Sequence, residues 1–416
     1  MRTVHVLRKF NRAEWGGTES AVNRLLHGLN SDGVESVVFC PRPDRNQMQT
    51  ATSVNGAVIR HFNACVPVWG LSESERRQFV AVGGNLFSFD LLSALWCEPD
   101  VELIHSHTLG RLGAIAGTVA RRRRVPFVVT IHGGYLDLPA AMKREFHQPS
   151  NRGFDWGRIF GLLLKSRQML EHADAILTCN PTEAALLQEK FPYQRVQVMP
   201  HGIDSAAYQL ESREVAFSAW PQLRNRQGLL CVGRIDAVKN QRWLVEQGER
   251  IFKSHPNALL VFAGPSTDSD YSTALERLVS ERGWPDKVFF TGGLPPGDRR
   301  LIGLFQLADV VILPSISETF GLVLLEAWAA GTVVLASCTS GAKALIEPGE
   351  NGGLFDLETP ESFHELLDVM LNRSDVRQEF ARVGQAKVLA DYDLQAVARR
   401  TRQLYHQLIE AKSCAT

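Results

Sequence analysis

The stretch SETFGLVLLEAWAA, Ser317–Ala330, decides how this chain is read. It follows directly on Val310–Leu313, a short β-branched run of the kind that forms a fully buried strand. Gly321 permits a tight turn, and a helix is expected from Leu322. Its first backbone N–H groups then face the crevice beyond a strand's carboxyl end, where doubly wound sheets bind ligands. Glu318 and Glu326 stand eight residues apart, one on the loop and one a turn into the helix, with Phe320 and Gly321 between them. Both carboxylates can reach the polyol face of a ligand whose phosphates sit on the helix start. In a purely structural reading Glu318 caps the helix and Glu326 pairs with a surface cation, since first-turn acids are favoured anyway.

Outward from this stretch, short apolar runs alternate with amphipathic segments. Gly228–Val232, Ala258–Ala263, Lys287–Thr291, Val310–Leu313 and Val333–Ala336 read as the strands of one series. Val4–Leu7, Glu35–Cys40, Leu103–His105, Pro126–Ile131, Ala175–Cys179 and Val196–Met199 form an earlier one. Its expected helices are Glu19–Leu29, Arg111–Arg122, Trp156–His172 and Thr182–Lys190. Two such series predict an α/β protein with two doubly wound, Rossmann-like domains. Met199–Asp204, with Pro200 and Gly202, is the expected boundary. The domains are then 1–203 and 204–393.

Composition agrees with two globular domains. The chain has 416 residues, with 45 lysines and arginines against 45 aspartates and glutamates, so its formal net charge is zero. It therefore lacks the basic footprint of a nucleic-acid binder and the acidic excess of a solvated tail. Seven scattered cysteines with no C-x2-C pair argue against structural zinc and a disulfide framework, and for a reducing compartment. The N-terminal residues do not read as a secretory signal, and no run approaches the roughly 18 apolar residues of a spanning helix. A cytoplasmic protein is expected, at most peripheral at the inner membrane face.

Further segments carry chemistry. Val232–Asn240, VGRIDAVKN, puts Arg234 and Lys239 after the first strand of the second series, where two cations can offset a diphosphate. Their ordinary reading is solvated surface. Gly16 and Gly17 follow the first strand of the chain and open a helix, so backbone N–H groups there can approach an anion; a loop needing positive φ is the plain alternative. No G-x-G-x-x-G fingerprint is present. His132 ends the strand Val128–Ile131, and His105 and His107 end the preceding one, but no carboxylate or cysteine pattern supports a metal. Asp268-Ser269-Asp270 spells D-x-D and is read as a solvated loop over Pro265–Tyr271. Arg121–Arg124 is read as a solvated helix end, with contact to anionic lipid as the second reading.

Together these segments resemble glycosyltransferase family 4, the retaining group with GT-B architecture, in which two Rossmann-like domains face a cleft. The resemblance spans essentially the whole chain. It rests on GGTE (Gly16–Glu19), TIHGG (Thr130–Gly134), PHGID (Pro200–Asp204), VGRIDAVKN, FAGP (Phe262–Pro265), FTGGL (Phe290–Leu294), SETFGLVLLEAWAAG (Ser317–Gly331) and PGENGGLF (Pro348–Phe355). It implies that Arg234, Lys239 and the N–H groups of Gly321 and Leu322 hold a donor diphosphate. Glu318 would contact donor-sugar hydroxyls, and Glu326 the ribose. Gly17 would approach the phosphate and His132 would lie beside the sugar, so that His132 and Glu318 are the candidate catalytic residues. The final segment, about 394–416, would cross back to the first domain. Where the family has a Gly-Gly pair and a glutamate, this chain has Ser340, Gly341 and Ala344, and where it has G-x-P-V this chain has Gly331-Thr332-Val333-Val334.

The expected activity is transfer of a sugar from a nucleoside diphosphate to an acceptor hydroxyl of a glycan, glycolipid or small molecule, with retention and without metal or other cofactor. A role in cell-surface polysaccharide or glycoconjugate synthesis goes with it. The alternatives are a GT-B sugar-nucleotide epimerase, which would convert donor without acceptor, and a non-catalytic sugar-nucleotide-binding protein.

Overall fold

The computed structural model describes residues 1–10, 17–42, 53–73, 75–76, 85–136, 154–295 and 297–414. Met1–Gly202 together with Leu394–Thr416 forms one compact unit, and Ile203–Asp393 the other.

The first unit holds β1 (Arg2–Val6), β2 (Glu35–Pro41), β3 (Ser53–Val54), β4 (Ala57–Phe62), β5 (Val68–Trp69), β6 (Leu103–Ser106), β7 (Phe127–Ile131), β8 (Phe154–Asp155), β9 (Ala175–Thr178) and β10 (Val196–Val198). Eight of these form one sheet in the order β10-β9-β7-β6-β1-β2-β4-β3, parallel except for the β3–β4 pair. The order reverses between β1 and β6, which opens a crevice beyond their carboxyl ends. Strands β6, β7 and β9 are buried along their whole length, which is why their sequences are apolar runs and not alternations.

The second unit holds β11 (Gln227–Val232), β12 (Ala258–Ala263), β13 (Val288–Gly292), β14 (Ala308–Leu313), β15 (Val334–Ser337) and β16 (Gly352–Phe355). Its sheet is parallel throughout, in the order β13-β12-β11-β14-β15-β16, and reverses between β11 and β14. The helix Leu322–Ala329 follows β14 and buries Leu324, Leu325, Ala327, Trp328 and Ala329. Trp328 anchors it: the ring is fully buried and its indole N–H donates to the Asn351 carbonyl at 2.9 Å. A helix apolar on nearly every side belongs in a core, so the carboxylate of Glu326 stands out within it.

The last helix, Leu394–Cys414, packs in the first unit. Val397, Ala398, Leu404, Tyr405 and Leu408 share a cluster with Leu29, Leu103, Val128 and Leu177. Gly28 on the helix Gly17–Ser31 allows this approach, because a Cβ there would lie 2.6 Å from that of Ala398.

Three expectations change. Trp156–His172 is not one helix: Arg158–Leu163 is followed by the 3-10 turns Ser166–Gln168 and Leu170–His172, with Lys165 left-handed at the break. Arg158–Leu163 fully buries none of its residues, and only Phe160 of this helix packs against the core cluster, so little packing carries the helix further. Strands β3, β4, β5, β8 and β16 were not among those expected. Asp268 is no free loop residue but the N-cap of the helix Ser269–Glu281, accepting from the Tyr271 N–H at 3.0 Å. Within Arg121–Arg124, Arg123 donates to the carbonyls of Leu95, Trp96 and Glu98, capping the helix Leu91–Cys97.

Candidate functional site

In the second unit the loops after β11 and β14 flank the point where the strand order reverses. They are laced together: Ile316 N–H donates to the Val238 carbonyl at 2.8 Å, and the Asn240 amide donates to the Pro314 carbonyl at 3.1 Å. Lys239 reaches across from the first loop to Glu318 on the second, Nζ to Oε2, at 2.5 Å. The other carboxylate oxygen of Glu318 accepts from the Gly321 N–H at 3.3 Å. Gly321 is left-handed, φ +91°, and caps the helix Leu322–Ala329. Phe320 is buried beside it, and Glu326 is buried one turn into the helix. Arg234, Lys239, Glu318, Phe320, Gly321, Leu322 and Glu326 thus gather at the carboxyl ends of β11 and β14.

The charges are not arranged as two free cations. Arg234 pairs with Asp236 at 3.0 Å, and Lys239 with Glu318. Each cation would have to leave its carboxylate to meet an anionic ligand. Asp236 is a site residue the sequence reading missed. Its carboxylate also accepts from the Lys239 N–H at 3.0 Å and from the Thr267 hydroxyl at 3.3 Å, fixing the turn that aims both cations.

Two glycines set the loop positions by close approach. A Cβ on Gly264 would lie 1.9 Å from the Gly233 carbonyl oxygen. A Cβ on Gly341 would lie 2.6 Å from the Phe320 nitrogen and 2.8 Å from the Glu318 carbonyl oxygen, to which Gly341 N–H donates. Gly341→Ala is therefore expected to displace the 318–321 loop. Overpacking of this kind costs about 1–3 kcal/mol, so nucleoside diphosphate affinity should fall roughly 10-fold. Calorimetry on the variant checks this, and wild-type affinity would show that the loop tolerates the shift.

In the first unit Gly17 is the first residue of the helix that follows β1, and His107 and His132 follow β6 and β7. Gly16 lies outside the described residues. Thr3, His5, His107 and His132 form a continuous chain of contacts. Thr3 Oγ1 meets His5 Nε2 at 3.2 Å, His5 Nδ1 meets His107 Nε2 at 3.0 Å, and His107 Nδ1 meets His132 Nε2 at 3.0 Å. The ring of His201 stacks on His132, with centroids 5.1 Å apart. His105 bonds instead to Tyr405 Oη at 2.5 Å and Thr130 Oγ1 at 2.6 Å. Nitrogens of His5, His105 and His107 all lie within 4.8 Å of one another. Every ring nitrogen of these three has a hydrogen-bond partner, so the cluster is a hydrogen-bonded network. Glu183, fully buried, pins the loop after His132 by accepting from the N–H groups of Tyr135 and Leu136 and from the Thr178 hydroxyl.

Burial keeps these imidazoles neutral. It lowers His5 to about 3 and His132 to about 4, and holds His105, His107 and His201 well below the usual histidine range. Below about pH 6.5 the unfolded chain takes up protons that the folded chain refuses. Stability is therefore complete above that pH and is lost as the pH falls toward the lowered values. The melting temperature should drop between about pH 6.5 and pH 5, ahead of carboxylate titration. A flat profile there would contradict a buried neutral cluster.

Two doubly wound α/β units, one carrying a cation–carboxylate pair and a glycine-capped helix at its switch point, define a protein of GT-B architecture. Residues 16–202 match the model of the glycosyl transferase 4-like domain, and residues 213–387 that of glycosyl transferases group 1. The chain belongs to the family 4 type of GT-B glycosyltransferases. It is 30% identical to a D-inositol 3-phosphate glycosyltransferase of Nocardia farcinica over 369 residues, covering 86% of this chain and 78% of that one. A protein of the same name from Frankia alni is 27% identical over 410 residues, 96% of each chain. Among solved structures, sucrose-phosphate synthase from Thermosynechococcus elongatus superposes with a TM-score of 0.74 at 22% identity, covering 99% of both chains. HepE of Anabaena, solved with UDP-glucose, gives 0.69 at 15% identity, covering 98% of this chain and all of that one. Among the described residues no helix is long and apolar enough to cross a membrane.

Proposed function

We propose that this protein transfers a sugar, with retention of configuration and without a metal ion, from a nucleoside-diphosphate donor to an acceptor hydroxyl, in the cytoplasm. The observation that carries the reading is the Lys239–Glu318 pair at the β11/β14 switch point, beside the first N–H groups of the helix Leu322–Ala329. A diphosphate on that helix start leaves Glu318 for the sugar hydroxyls and Glu326 for the ribose. The relatives named for inositol-phosphate glycosylation and the neighbour solved with UDP-glucose support donor and acceptor of these classes.

The departing nucleoside diphosphate gathers negative charge as the anomeric carbon becomes oxocarbenium-like. Lys239, Arg234 and the N–H groups of Gly321 and Leu322 stabilise that charge. No side chain among those assigned to the donor serves as a nucleophile, so the leaving phosphate takes the acceptor's proton on the same face.

The test is Glu326→Ala. A charge-assisted hydrogen bond contributes about 1.5–3 kcal/mol, so donor affinity should fall roughly 10- to 100-fold while the protein stays folded. Unchanged affinity in calorimetry would reduce Glu326 to a helix carboxylate and remove the ribose from this reading.

A further inference from the structure

The histidine chain of the first unit can carry its protons in either of two directions, set by where Thr3 sends its hydroxyl proton. Thr3 Oγ1 lies 3.4 Å from the Glu35 carbonyl oxygen, which can only accept, and 3.5 Å from Ser36 Oγ. When the single hydroxyl proton of Thr3 goes to that side, His5 Nε2–H donates to Thr3. A neutral imidazole carries one proton, so His5 Nδ1 accepts from His107 Nε2–H. By the same count His107 Nδ1 accepts from His132 Nε2–H. The series ends at His132 Nδ1, which is buried and has no hydrogen-bond partner among the described residues. His132 lines a cavity of about 20 Å³ with Thr130, His201 and Thr401, room for about one water molecule or one ligand atom.

We propose that His107, backed by His5 and Thr3, is a positioning residue that holds His132 as its Nε2–H tautomer, so that Nδ1 meets a ligand as an acceptor. An acceptor nitrogen suits a sugar hydroxyl and repels a phosphate oxygen, which would require N–H. The inference rests on the reading of His132 as the residue beside the sugar, and it narrows what His132 touches. A buried unpaired nitrogen is costly unless something fills its site, which gives the orphaned Nδ1 a function.

Long-range proton–nitrogen correlation spectra of protein labelled with nitrogen-15 histidine read the tautomer directly, with His132 assigned from its loss in His132→Ala. The expected result is a single Nε2–H form at neutral pH. In His107→Leu the His132 signal should move to a tautomer mixture, and turnover should fall roughly 10- to 100-fold with the donor KM changed less than about threefold. His107→Asn, whose amide oxygen can stand where Nδ1 accepts, should restore most of both. An Nδ1–H form in the wild-type protein would overturn the proposal, as would His107→Leu leaving the tautomer unchanged. The wild-type spectrum needs neither a folded variant nor turnover. A single Nε2–H form in a protein that transfers no sugar would uphold the positioning and defeat the transfer reading alone.

Discussion

Lys239→Ala is expected to lower kcat/KM for the nucleotide sugar by roughly 30- to 1,000-fold, the equivalent of about 2–4 kcal/mol of transition-state stabilisation. The Lys239 side chain is four-fifths enclosed between the β11 and β14 loops, so solvent replaces its charge poorly. Its loss removes one of two side-chain cations and leaves the Glu318 carboxylate facing the incoming phosphate without a counter-charge. Both changes oppose the same charge, so the fall should appear in kcat as well as in KM. Arg234→Ala should cost less, because its guanidinium is 55% exposed and already tied to Asp236. Asp268→Ala should cost about 1 kcal/mol of stability through the lost cap and little turnover. Steady-state kinetics on the three variants, with melting temperatures as the folding control, check this ordering. Equal activity of Lys239→Ala and wild type would place the diphosphate elsewhere.

His132→Ala is the second large effect. Turnover should fall on the order of 100-fold, the scale of a lost polar group at a reacting centre, while nucleoside diphosphate affinity changes little. The asymmetry follows from where the groups sit. Arg234, Lys239 and Glu326 belong to the second unit, and His132 to the first. Comparable losses in binding and turnover would assign His132 to the diphosphate; full activity would leave it a structural member of the histidine network.

What the sequence disclosed depended on how local the controlling interaction is. Ser317–Ala330 was legible because a buried strand, a turn glycine and a helix start follow one another along the chain, and the switch point between β11 and β14 then gives the stretch its place in the sheet. Arg234 and Lys239 were legible for the same reason. Asp236 was not, because an aspartate in a turn looks solvated until its bonds to Arg234, Lys239 and Thr267 are seen. Gly341 carried no signal beyond its place in the family's glycine pair, where Ser340 replaces the first glycine; its importance lies in the backbone of Glu318–Phe320, far earlier in sequence. His105, His107 and His132 drew notice as neighbours, whereas His5, which completes the chain to Thr3, reaches His107 only through the β1–β6 pairing. The false helix at Trp156–His172 is the converse case: Phe160 and Leu164 pack on the core, but Ile159, Leu162 and Leu163 stay exposed and Lys165 turns left-handed, so the apolar pattern does not run on as one helix face.

The account turns on a diphosphate held by side chains and helix N–H groups of the second unit. Calorimetric titration of UDP, GDP and ADP into the protein in EDTA tests that claim most directly. One of the three should bind at one site per chain, with an affinity unchanged by the chelator and weakened by Lys239→Ala. Binding that vanishes in EDTA and returns with manganese, or that survives Lys239→Ala undiminished, would contradict it.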